Sequence, residues 1–120
     1  MKTNRVVMVM PGEKPYIAEI EDSLEAEQVA VQGLIELVYN DDNTIIVCNE
    51  EAKLIGMQGN RHMDNGGVIA GPFFIIGDDG EDFRSLTDCE VDKYMAKYSE
   101  PEDISQEEVA ADSGYLVFTW

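Results

Sequence analysis

The stretch that most constrains this chain runs Gly71-Pro72-Phe73-Phe74-Ile75-Ile76-Gly77-Asp78-Asp79-Gly80-Glu81-Asp82-Phe83-Arg84-Ser85-Leu86-Thr87. An apolar run ends at a glycine, passes through an acidic turn and enters a helix through a hydroxyl-bearing residue. Strand, turn and helix start follow one another with almost no spare residues, so the rest of the chain must pack around this joint. Downstream, Val91, Tyr94, Met95 and Tyr98 recur at helical spacing, which predicts a helix over 86–98. Ser85 is its expected cap, with Asp88 three residues on. Acids in the first turns and Lys93 and Lys97 in the last suit the helix dipole, and Glu100-Pro101 ends the helix.

The preceding residues read mostly as strands. Arg5 to Met10 is continuously apolar after its first residue, as in a central strand. The turn Pro11-Gly12-Glu13-Lys14-Pro15 leads to an alternating strand from Tyr16 to Glu21, a predicted hairpin. Asp22 is the expected cap of a helix with Glu25 at its third position; Ala26, Val29, Ala30 and Gly33 form its small-residue stripe, and Gly33 stops it. Strands are expected over 34–39 and 44–48, with a short one over 53–55. From Gly56 to Gly67 the periodicity fails, which predicts a long polar loop. Val68 to Ile76 reads as one strand, kinked or bulged at Gly71-Pro72. A short helix is expected over 105–111, and an apolar alternating strand from Tyr115 to Trp120. The order predicts a single α+β domain over 1–120, with a mainly antiparallel sheet of five to seven strands and two main helices on one face.

Charge is the least ordinary property. Twenty-five Asp and Glu against eight Lys and Arg give −17 over 120 residues, while the apolar fraction is an ordinary 44%. Without a basic patch to displace phosphate counterions, direct binding of nucleic acid is not expected. Cys48 and Cys89 lack a Cys-x-x-Cys spacing or a histidine partner, which fits free thiols in a reducing compartment. The five apolar residues before Pro11-Gly12 are too few for a secretory core or a membrane span. A cytoplasmic location and no membrane partner are therefore expected.

No reaction is legible. The turn Asp78-Asp79-Gly80-Glu81-Asp82 lacks the alternating ligands and terminal glutamate of a calcium loop. One histidine, His62, and two separated cysteines do not make a zinc or redox site. No nucleophile motif, P-loop or dinucleotide fingerprint occurs. Neither cofactor nor metal is expected, and no catalytic residue is assigned. Asn60, Arg61, Arg84 and Ser85 are the candidates for a small-anion site, because a helix N-terminus with arginine nearby attracts anions.

Five segments carry a family resemblance: Pro11-Gly12 after the first strand, Ile46-Val47-Cys48-Asn49-Glu50-Glu51, Asn60-Arg61, Ala70 to Gly77, and Phe83-Arg84-Ser85-Leu86-Thr87. Together they resemble domain-of-unknown-function family 3846 over about residues 5–98. That resemblance implies a common fold and small proteins carried by bacteria, phages and mobile elements, hence a bacterial host cell. It implies no activity, and the segment from Ser99 departs from the family's usual shape.

The acids supply the leading functional expectation. Two acid-rich stretches flank the capped helix: Asp78, Asp79, Glu81, Asp82, Asp88 and Glu90, then Glu100, Glu102, Asp103, Glu107 and Glu108. Carboxylates on a folded domain can occupy a groove built for nucleic acid. The expected function is that of a small acidic protein-binding domain, a nucleic-acid mimic that inhibits a host nucleic-acid-handling or defence protein with a basic surface. The alternative is a regulatory domain that binds a small anion.

Overall fold

Central strands that are apolar at every position need cover on both faces, and that requirement shapes the architecture. The computed structural model describes residues 2–112. Along the chain lie β1 (Thr3–Val9), β2 (Tyr16–Glu21), α1 (Leu24–Val31), β3 (Ile35–Tyr39), β4 (Thr44–Asn49), β5 (Gly59–His62), β6 (Val68–Ala70), β7 (Phe73–Asp78), β8 (Phe83–Arg84), α2 (Asp88–Lys97) and α3 (Gln106–Asp112). The main sheet has the order β2-β1-β7-β4-β3, with β8 pairing the end of β7; β5 and β6 form a separate small sheet. Every pairing is antiparallel. The fold is α+β with a mainly antiparallel sheet, as expected.

The helices, however, do not share a face. Strand alternation sends Val7, Val9, Ile46, Cys48, Phe73 and Ile75 to one side, where they meet Leu86, the α2 residues Val91 and Tyr94, and Tyr98 at the C-cap of α2. Val6, Met8, Ile45, Val47, Phe74 and Ile76 go to the other side, where Val31 of α1 lies. The expectation of both helices on one face is thus corrected: β1, β4 and β7 are apolar at both parities, so each face needs its own cover. Phe73, Phe74 and Ile75 are wholly buried, each contributing about 1.5–3 kcal/mol by leaving water.

Several local expectations also change. Residues 53–55 form part of a turn, and β5 lies inside the stretch expected to be a loop. The run from Val68 to Ile76 is two strands in two sheets. Gly71 makes the switch with φ +73, a left-handed conformation that disfavours side chains. In α1 the cap is Ser23, whose hydroxyl accepts from Ala26 N, and Gln32 takes the left-handed C-cap in place of Gly33. Glu27 and Val31 face inward there; of the predicted small-residue stripe Ala30 packs against the core, while Val29 is 77% exposed.

The cap of α2 is Thr87. Its hydroxyl accepts from Glu90 N while the Glu90 carboxylate accepts from Thr87 N, a reciprocal capping box. Ser85 instead accepts a hydrogen bond from Arg5 N, joining the helix entry to β1. The inward face of Val91, Tyr94 and Tyr98 is as expected, and α3 falls where a short helix was predicted. The strand expected over 115–120 lies outside the described residues.

Candidate functional site

The four candidates for an anion site fall into two pairs. Asn60 and Arg61 enter β5 and are buried. The Asn60 amide donates to Val9 O and Gly71 O, tying the end of β1 to the point where the chain changes sheets. The Arg61 guanidinium donates to Tyr98 O, Glu13 O, Asn60 O and Asn60 Oδ1 at 2.6 to 3.3 Å. Burial lowers its pKa. Arg84 makes a bidentate pair with Glu90, at 2.8 and 3.0 Å, and also donates to Asn43 O and Ser85 O. These bonds to Glu90 raise the Arg84 pKa and lower that of Glu90.

Arg61 sits at the C-terminal end of α2 and Arg84 at its N-terminal end. Ten helical residues separate the two by about 15 Å. The structure therefore joins Asn60 to Arg61, and Arg84 to Ser85, without bringing the pairs together. At the N-terminus of α2, where an anion would bind, the carboxylate of Glu90 already satisfies Thr87 N.

The acids divide in a similar way. Asp78 is half-buried at the end of β7 and accepts from Gly80 N; Asp79, Glu81 and Asp82 are exposed on the β7–β8 turn. Asp88 is exposed but pairs with Arg5 at 2.9 Å. Beyond α2, Glu102 and Glu108 close on the two ring nitrogens of His62 from opposite sides. Hydrogen bonds to Glu108 and Glu102 raise the His62 pKa. Burial would raise the Glu102 pKa, but its bonds from His62 outweigh this and lower it. Glu100, Asp103 and Glu107 are exposed, and among the described residues no ion pair reaches them or Asp79, Glu81 and Asp82.

The cations are almost wholly consumed within the molecule. Lys2, Arg5, Lys53, Arg84, Lys93 and Lys97 pair with Asp22, Asp88, Asp112, Glu90, Asp42 and Asp64 respectively. Arg61 is buried, which leaves Lys14 as the basic side chain with no ion pair or hydrogen bond among the described residues. The outward field is therefore that of unmatched carboxylates.

Other features fit a scaffold. Lys93, Thr44 and Tyr94 donate to Asp42 and overcome the effect of its burial, holding its carboxyl well below the usual range. A cavity of about 310 Å³ between β3–β4 and the small sheet is lined by Val38, Cys48, Lys53, Met63 and Ile69. Burial pushes the Cys48 thiol up to about 11, so it stays protonated and unreactive. Among the described residues no three His, Cys, Asp or Glu side chains are placed to hold a metal ion.

Residues 1–99 match the family described as domain of unknown function DUF3846. The chain belongs to that family. The matched DUF3846 region holds the whole main sheet, α1 and α2, and ends where α2 gives way to the acid-rich segment carrying Glu102, Glu108 and α3. Neither a curated protein nor a solved structure matches this DUF3846 chain. No helix among the described residues is long and apolar enough to cross a membrane.

Sequence reasoning missed two features. His62 stood out only as the single histidine, and nothing in its neighbourhood signals carboxylates 40 and 46 residues away. Glu27 was hidden by the choice of helical stripe; its i,i+4 spacing puts it on the same face as Val31, and the fold turns that face inward.

Proposed function

We propose that this protein is a small acidic protein-binding domain that occupies a nucleic-acid-binding surface on a basic partner and inhibits it. Such a partner is a host nucleic-acid-handling or defence factor, and the bearer a phage or mobile element. The observation that carries this reading is the consumption of cations: six of the eight basic residues are held in ion pairs and Arg61 is buried. A net charge of −17 then faces solvent with little relief. Duplex DNA carries one charge per roughly 1.7 Å of axis. The exposed acids of the β7–β8 turn and those beyond α2 put fixed negative charge at both ends of that helix.

The small-anion alternative has less support, because both candidate arginines spend their donors internally and the surrounding field repels anions. Retention from a bacterial host lysate on the immobilised protein at low salt tests the proposal. Basic, nucleic-acid-binding proteins are expected on the column. If none is retained, mimicry is wrong.

A further inference from the structure

We propose that the cleft where the N-terminus of α1 meets the β7–β8 turn receives one cationic side chain of the protein partner, a guanidinium or ammonium group. This site rests on the reading above and gives it a location. The cleft has a volume of about 240 Å³ and is lined by Asp22, Glu27, Glu81, Asp82, Leu24 and Phe83. Two elements far apart in sequence thus bring four carboxylates to one opening.

Glu27 sets this cleft apart from other acidic surface. The residue is 6% exposed, yet no hydrogen bond or ion pair reaches its carboxylate among the described residues. Burial, then repulsion from Asp22, raises its pKa. Most of Glu27 is buried while its carboxylate oxygens keep some contact with solvent at the cleft, and no donor within the described protein offsets their partial desolvation. A donor from outside would. Asp22 leans to the exposed Lys2 at a long 3.5 Å, which leaves Glu27, Glu81 and Asp82 facing the cleft without a counter-ion.

The geometry favours an organic cation over a metal, since these carboxylates are not placed to chelate an ion. An arginine fork can reach two carboxylates at once, and the half-buried Phe83 offers a ring beside the charge. The positive end of the α1 dipole, equivalent to roughly half a charge, opposes a cation here and is outweighed by the carboxylates.

The test titrates a hexa-arginine peptide into the isotope-labelled full chain at low salt, following amide shifts and affinity. Shifts are expected to centre on Glu27, Glu81 and Phe83. Glu27→Gln, which keeps shape and removes charge, is expected to weaken binding about tenfold. The exposed pair Glu81→Gln/Asp82→Asn is expected to weaken it too, and gives the same answer should Glu27→Gln fold poorly. Glu50→Gln/Glu51→Gln, on the exposed turn after β4, removes equal charge elsewhere and is expected to change affinity by no more than about twofold. Binding that falls equally in the control and cleft variants overturns the site but leaves the acidic-surface reading standing. No binding by the wild-type chain overturns both.

Discussion

Arg61 is the largest of the fully buried side chains, and its guanidinium bonds to uncharged oxygens. It fastens the C-terminal end of α2 to the turn after β1 and to the small sheet, so its charge acts as a structural pin. Removing it strands buried carbonyls. Arg61→Met is expected to cost about 3 kcal/mol in denaturant unfolding, and Arg61→Lys to rescue little, because an ammonium cannot span the same oxygens. His62 makes a pH-dependent contact. Its raised pKa means that its contribution is fully present below the unfolded value of 6.5 and is lost as pH rises through the folded one. The lowered pKa of Glu102 gives the opposite limb: its contribution is present above 4.5 and lost as pH falls through the folded value. The clamp is therefore strongest between about pH 4.5 and 6.5. Thermal unfolding of His62→Gln against wild type is expected to show the largest deficit there, shrinking on either side.

At the scale of elements, the α2 entry shows how local chemistry chooses among caps. Thr87 is expected to matter more than Ser85 for the helix: Thr87→Ala costs about 1 kcal/mol by denaturation, whereas Ser85→Ala leaves the helix start intact and loses only the bond from Arg5 N. Gly77 carries a further constraint. A Cβ there would overlap the Arg84 side chain along its stem and guanidinium, so Gly77→Ala is expected to break the Arg84–Glu90 pair and lower the melting temperature. The strands with apolar side chains, and the face of α2 at 3.6 spacing, were legible in the sequence because burial and periodicity coincide there. β5 was not, because Asn60 and Arg61 are polar and their burial depends on carbonyls distant in sequence. Gly71-Pro72 was legible as an interruption but not as a change of sheet, since a bulge and a sheet switch share the same residues. The candidate site was half legible: the excess of carboxylates is plain from composition, while their capture by Arg84, His62 and Arg5 is a product of the fold.

At the scale of the whole molecule, the charge distribution gives the account its function. The unpaired carboxylates lie on the β7–β8 turn and in the segment beyond α2, and under the proposed function they draw in a basic surface from a distance. Salt must then oppose binding: affinity for a retained partner is expected to fall steeply between low and physiological ionic strength, mainly through slower association. Titration calorimetry across a salt series would show it. The most direct measurement is competition. A partner captured on the immobilised protein is challenged with duplex DNA at constant ionic strength. The account predicts that DNA displaces the partner, and that the free protein in turn displaces DNA from the partner. A partner that binds DNA and this protein at once, with neither shifting the other, would contradict it.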